Sequence, residues 1–218
     1  MKKYNLTPGF VILFTVFFTF TTTLRCQTTG DQSDLDKKVR NFLNSRSWYN
    51  MNVPQSDGQK LYDLIVENNY TRALEIGTST GHSSIWIAWA LSKTGGKLIT
   101  IEINEERHKQ ALENFKEAGL SEYIDARLAD AHELVPQLEG PFDFVFSDAD
   151  KDWYKNYFQA VDPKLEAGGC YTSHNVSEDG GYWGSDEYLE FLKSLHHYET
   201  TVFGKGSGMS ISFKKSEK

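Results

Sequence analysis

Residues Ala73-Leu-Glu-Ile-Gly-Thr-Ser-Thr-Gly-His-Ser-Ser84 decide how this chain is read. An apolar run, Ala73–Ile76, leads into a glycine-bounded loop, Gly77–Gly81, and then into a helix-length segment opened by His82, Ser83 and Ser84. Glycine lets a backbone approach a ligand closely, and the free N–H groups at a helix start favour a negative group. The spacing differs from the dinucleotide fingerprint G-x-G-x-x-G, since Ser79 and His82 stand at its second and third glycine positions. A nicotinamide dinucleotide is therefore disfavoured. The next apolar run ends in Thr100-Ile-Glu102. An acid at that spacing can accept both hydroxyls of a ribose, and the spacing alone equally allows a solvated glutamate at a strand–helix corner.

The same alternation continues outward in both directions. Short apolar runs at 73–76, 98–101, 124–128, 142–146 and 170–172 are separated by helix-length segments at 82–93, 104–118, 131–138 and 152–165. Such a pattern predicts right-handed βαβ units and a parallel sheet covered on both faces. Upstream, helices fit 35–43 and 58–67, the latter with Leu61, Leu64 and Ile65 on one face. Downstream, a helix near 186–195 precedes runs at 200–203 and 209–213, joined by Gly204-Lys-Gly-Ser-Gly208 and read as an antiparallel hairpin closing the sheet. Residues 35–218 therefore read as one α/β domain.

Composition agrees with an ordinary globular protein: 218 residues, 39% hydrophobic and 24% charged, which excludes disorder, collagen and repeat arrays. The formal charge is −7, and it becomes more negative once Lys2, Lys3 and Arg25 of the first 26 residues are set aside. Nucleic acid and an anionic membrane surface are thus excluded as partners of the domain, because their phosphates would be repelled. Two cysteines, Cys26 and Cys170, are too few for a disulfide scaffold. Lys2 and Lys3 before the apolar run Phe10–Phe20 read as a signal peptide or a membrane anchor over residues 1–26, cleaved near Cys26, lipidated on it, or retained. Residues 27–34 read as a polar tether. The expected location is exported or membrane-associated, with a cytoplasm-facing anchor as the alternative, and the membrane is engaged only through this segment.

The chain also resembles the class I S-adenosylmethionine-dependent O-methyltransferases, specifically the small cation-dependent group of catechol and caffeoyl-CoA O-methyltransferases. The resemblance spans roughly 48–214 and rests on Met51-Asn-Val53, Leu74–Ser83, Ile99-Thr-Ile-Glu-Ile-Asn104, Ala129-Asp130 and Phe144-Val-Phe-Ser-Asp-Ala-Asp-Lys151. It implies a Rossmann-like class I methyltransferase fold, a seven-stranded, mostly parallel sheet with a C-terminal antiparallel hairpin. By position it places Val53, Glu75, Gly77 and Ser83 at the methionine end of the cofactor, Glu102 on the ribose, Asp130 and His132 beside the adenine, and Asp148 near the reacting methyl. It implies a possible homodimer as well.

The run Phe142-Asp-Phe-Val-Phe146 delivers Ser147-Asp-Ala-Asp-Lys151 to the sheet edge where open α/β folds bind ligands. Methyl transfer to a hydroxyl needs an oxyanion, and a phenol ionises only near pH ~10. A divalent cation lowers that value by coordinating the oxygen. In the resemblance Asp148, His174 and Asn175 form the metal triad, and Lys151 is the general base. The family usually has Asp-Asn where this chain has His174-Asn175, so a neutral imidazole replaces one anionic oxygen, which shifts preference from magnesium toward manganese and other transition ions. Asp150 could serve the site or only solvate the turn. Residues 176–185, with Tyr182 and Trp183, read either as a lid over an aromatic hydroxyl substrate or as a packed surface loop. A non-catalytic, exported relative of these enzymes is the second functional reading.

Overall fold

The computed structural model describes residues 29–48, 51–178 and 184–216. Seven strands form one sheet in the order β3-β2-β1-β4-β5-β7-β6. They are β1 Arg72–Ile76, β2 Lys97–Glu102, β3 Ile124–Leu128, β4 Phe142–Ser147, β5 Leu165–His174, β6 Tyr198–Phe203 and β7 Met209–Lys214. The first five run parallel, and β7 pairs antiparallel with both β5 and β6. Order reverses between β1 and β4, so their carboxyl ends open a crevice at the topological switch point.

Helices α1 Thr29–Ser45, α2 Gln55–Asn68, α3 His82–Thr94 and α4 Glu105–Ala118 alternate with the strands, as do α5 Ala131–Gln137, α6 Tyr154–Val161 and α7 Ser185–Ser194. Successive strand residues point to opposite faces, so each central strand serves two cores. Leu74, Ile76, Val145 and Tyr171 pack under α5, α6 and α7 with Val135, Phe158 and Leu189. Ala73, Phe144, Phe146 and Cys170 pack on the other face with Leu61 and Ile65 of α2 and Ile87 of α3. Strand β4 is buried along its whole length, and the one charged residue in its otherwise apolar run, Asp143, accepts from the Thr71 and Arg72 N–H groups at 2.7 and 2.8 Å.

Three boundaries depart from the sequence reading. Helix α1 begins at Thr29 and takes in most of the stretch read as a tether. Its first turns carry almost no apolar residues, so periodicity registers only where Leu35, Val39, Phe42 and Leu43 turn inward to α3 and α4. Its polar side is anchored as well: Trp89 Nε1 donates to Asp36 Oδ1 at 2.7 Å, and Lys93 pairs with the same carboxylate. The segment expected as one helix over 152–165 is a single turn at 151–153, α6, and another turn at Asp162–Lys164 that carries Pro163 near its start. Strand β5 starts at Leu165 rather than 170, because the Gly168-Gly169 pair that reads as a break is absorbed as a register irregularity against β4. Residues 1–26, Tyr182 and Trp183 lie outside the described residues.

Candidate active site

One cavity of about 690 Å³ opens along the carboxyl ends of β1, β2 and β4. Its walls carry most of the residues singled out in the sequence: Gly77, Ser83, Glu102, Asp130, His132, Asp148, Lys151, His174 and Asn175. Val53 and Glu75 do not line it; both are buried just behind it.

The end nearest β1 and β2 is shaped by the glycine loop. The N–H groups of Gly77 and Thr78 both donate to the Ile101 carbonyl, at 3.1 and 3.0 Å. Gly77 has φ +104°, and a Cβ there would sit 3.0 Å from the Asp148 backbone, so β1 and β4 can approach only with glycine at this position. Ser79, also in the left-handed region, donates its N–H to Glu102 Oε2 at 2.7 Å, and Asn104 N–H donates to Oε1 at 2.9 Å. Glu102 is therefore no solvated corner residue. It is 5% exposed, with each oxygen oriented by one backbone donor and Oε1 also 4.0 Å from the Arg107 guanidinium.

Glu75 Oε2 accepts from Ser84 and from Thr100 Oγ1, the latter at 2.5 Å, while Oε1 is buried with no hydrogen-bond partner. Burial dominates its ionisation and pushes the carboxyl up to about 7, against the pull of the neighbouring hydroxyls. His82, read in the sequence only as a helix opener, ties this end together. Trp86 Nε1, which can only donate, points at His82 Nε2 at 3.2 Å, so Nδ1 carries the proton and donates to the Val53 carbonyl at 2.9 Å. The ring also stacks on Trp48 with centroids 4.5 Å apart. Burial holds His82 down at about 4, only partly offset by the Val53 bond, so it stays neutral.

At the far end of the crevice Asp130 caps α5, accepting from His132 N–H at 2.8 Å, and lines the cavity too. The His132 ring stacks on Trp153 at 3.9 Å, with its Nε2 3.3 Å from Asp150 Oδ2. Asp150 also caps the turn at 151–153 through Asp152 N–H. Its two sequence readings thus both describe it: it stabilises the turn and faces the site.

The third cluster gathers charge. Lys151 Nζ donates to Asp148 Oδ1 at 2.5 Å and to Tyr154 OH at 2.8 Å, and Tyr154 OH donates onward to the His174 carbonyl at 3.0 Å. Burial keeps the Tyr154 hydroxyl un-ionised. His174 lies between two carboxylates: Nε2 is 2.9 Å from Asp57 Oδ2 and Nδ1 is 3.1 Å from Asp148 Oδ2. Burial lowers the imidazole's proton affinity, but Asp148 and Asp57 outweigh it and hold the ring at about 9. Burial likewise raises Asp148, and His174 and Lys151 outweigh that to hold it below the ordinary carboxylate value.

Asp57 escaped the sequence reading because it stands just before the helix expected over 58–67, where an aspartate is ordinarily an exposed cap. Here it is completely buried. Among the described residues no three His, Cys, Asp or Glu side chains are grouped to hold a metal ion, so a cation at this end would rest on Asp148, His174 and the Asn175 amide. Two features fit such a cation. His174 Nδ1 is buried and without a hydrogen-bond partner, since its approach to Asp148 is off hydrogen-bond alignment. The other ring nitrogen is committed to a carboxylate, the arrangement that orients metal-binding imidazoles.

Comparison with known proteins follows this geometry. The chain is 40% identical over 155 residues to a catechol O-methyltransferase of Niastella koreensis, covering 69% of this chain and 70% of that one. It is 33% identical over 149 residues to caffeoyl-CoA O-methyltransferase 1 of Eucalyptus globulus, covering 66% of this chain and 60% of the relative. Among solved structures, an O-methyltransferase of Bacillus cereus in complex with SAH superimposes with a TM-score of 0.69 at 27% identity, over 84% of this chain and 91% of that one. The model of the family described as O-methyltransferase matches residues 26–190, a span that includes α1 and runs into α7. A Rossmann-like sheet with the hairpin closure β5-β7-β6, a glycine loop facing an oriented Glu102, and these matches agree: the chain belongs to the O-methyltransferase family.

Proposed function

We propose that the protein moves a methyl group from S-adenosylmethionine to a hydroxyl of a small catechol-like or vicinal-dihydroxy aromatic. The observation that carries this reading is the single cavity that joins the oriented Glu102 carboxylate to the Asp148, Lys151 and His174 cluster. One site can then hold a nucleoside and a reacting hydroxyl side by side. Glu102 accepts the ribose hydroxyls, Asp130 and His132 flank the adenine, and Gly77 and Ser83 border the methionine portion. Glu75, buried behind that wall with Oε1 unpaired, and Val53, held in place through His82, back the methionine portion.

In the chemical step an acceptor oxygen attacks the sulfonium methyl carbon. The O–C bond forms, the C–S bond breaks, and S-adenosylhomocysteine leaves with the sulfur's electron pair. Lys151 is the general base in this reading, receiving the hydroxyl proton at Nζ and passing it to water. Asp148 and the Tyr154 hydroxyl hold that nitrogen at the cavity wall, which shortens the proton's path and fixes its direction. A divalent cation held by Asp148, His174 and Asn175 supplies Lewis-acid lowering of the phenol's pKa when bound. We further propose that residues 1–26 direct the protein to a membrane or across it. Protease accessibility of tagged full-length protein in intact cells tests which side the domain occupies.

Calorimetric titration of S-adenosylmethionine into the purified protein, followed by mass analysis of catechol incubated with both, tests the enzymatic reading. Micromolar binding and a methylated catechol are the expected results. Absence of cofactor binding would leave the second reading, a non-catalytic relative.

A further inference from the structure

Asp57 is a completely buried carboxylate that the methyl-transfer chemistry does not use. Three elements converge on it: Ser56 Oγ donates to Oδ1 at 3.1 Å, Ser207 N–H donates to Oδ2 at 3.1 Å, and the His174 imidazole meets Oδ2 at 2.9 Å. The loop before β7 crosses so closely that a Cβ on Gly206 would lie 1.8 Å from Asp57 Oδ1. The carboxylate is thus clamped with one oxygen aimed at His174. A carboxylate can only accept, so Nε2 carries a proton; Nδ1, which in the metal-free protein holds a proton between the two carboxylates, is the nitrogen left for a cation, which would displace that proton. That nitrogen belongs to a side chain only 5% exposed and lacks a hydrogen-bond partner, although Asp148 Oδ2 lies 3.1 Å away.

We infer that Asp57 sets His174 as an Nδ1 ligand, making the Asp148–His174–Asn175 cluster a nitrogen-containing site for a transition-metal dication of the manganese class in preference to magnesium. The physical reason is twofold. Imidazole binds manganese, iron, cobalt or zinc more strongly relative to magnesium than an oxygen ligand does. A carboxylate on the second ring nitrogen fixes the tautomer and raises the ligand's basicity, and removing such a partner typically costs about 10–100-fold in metal affinity. Asp57 is a positioning residue in this scheme, acting through His174. The inference rests on the proposed methyl-transfer site, but its readout is metal binding alone.

The test strips full-length protein with chelator and titrates it with Mn(II), following the free-ion electron paramagnetic resonance signal, with Mg(II) as competitor. The expected result is one Mn(II) per chain, resistant to a large excess of Mg(II), with nitrogen hyperfine coupling in the pulsed spectrum. Asp57→Ala should weaken Mn(II) binding by about 10–100-fold, and Asp57→Asn, which keeps an acceptor for the Nε2 proton, should lose less. His174→Asp should remove the nitrogen coupling and let Mg(II) compete. No Mn(II) binding by the wild type at millimolar concentration would overturn the inference and leave His174 as a protonated bridge between two aspartates. Mn(II) binding without nitrogen coupling, or a folded Asp57→Ala that binds as the wild type does, would also overturn it. Should Asp57→Ala fail to fold, the wild-type spectrum and magnesium competition still decide. Cofactor binding measured on the same stripped sample separates failure of this inference from failure of the methyl-transfer reading.

Discussion

The two ends of the cavity are built in different ways. At the cofactor end, β1, its glycine loop and the start of α3 are contiguous in sequence, and the carboxylate of Glu102 is oriented by backbone N–H groups of Ser79 and Asn104. At the chemical end, Asp57, Asp148, Lys151 and His174 come from α2, the segment after β4 and the end of β5, and side-chain charges orient one another. Backbone-held sites follow from local conformation, whereas charge-held sites depend on the packing that brings distant segments together. The first kind should lose function locally when changed, and the second should lose it collectively.

The largest expected effect sharpens that contrast at the chemical end. Lys151→Ala should lower turnover by about 10²–10⁴-fold, the range for losing a general base. Cofactor affinity by calorimetry should stay near wild type, and a matching loss of affinity would show that the two ends are not separable. Next comes a packing control: Phe144→Ala, a fully buried change in β4, which runs between the two ends, should cost about 3–5 kcal/mol in urea unfolding and damage both.

The third test concerns His82. Its native value of about 4 lies below the ordinary 6.5, so on acidification the unfolded chain takes up this proton first. The stability His82 contributes is present above pH ~6.5 and is lost as pH falls toward ~4, by at most about 3 kcal/mol. Unfolding midpoints measured across that window should flatten in His82→Gln relative to wild type; equal slopes would remove the neutral clamp from the account. Glu102→Ala should weaken cofactor binding by about 1.5–3 kcal/mol, the scale of hydrogen bonds to a charged group, with kcat at saturating cofactor little changed. The smallest effect on kcat belongs to Tyr154→Phe, which deletes the hydroxyl's hydrogen bonds to Lys151 and to the His174 carbonyl; only the first bears on the base, so kcat should fall by less than about tenfold, consistent with about 0.5–1.5 kcal/mol for one hydrogen bond. A change in KM for cofactor instead would place Tyr154 at the wrong end.

The contrast also explains what could be read in advance. Gly77, Ser83, Glu102, Asp130, Asp148, Lys151, His174 and Asn175 all reach the cavity wall; the glycine loop, Glu102 and the segment after Phe146 were legible from apolar runs and turn residues, and the others were placed by the family resemblance. Glu75 and Val53 were expected at the methionine end and lie buried behind the wall, Glu75 held by Ser84 and Thr100 and the Val53 carbonyl by His82. His82 and Asp57 gave no signal as clamp and orienting group. A histidine at a helix start and an aspartate beside one look alike whether exposed or buried; Trp86 packs on His82 from the next turn, but Trp48 and the Gly206–Ser207 loop, which complete the burial, are distant in the chain.

What the sequence determined by itself is therefore the order of strands and helices, the glycine loop at the switch point and the set of polar residues delivered to the carboxyl edge, since each depends on local periodicity and backbone freedom. What only the tertiary structure decided is which nitrogen of His82 carries its proton, and that Asp57 is a buried partner of His174. Those outcomes depend on which donor or acceptor from a remote segment stands within hydrogen-bond reach in a low-dielectric interior, where an unpaired polar group is costly and its partner dictates its state.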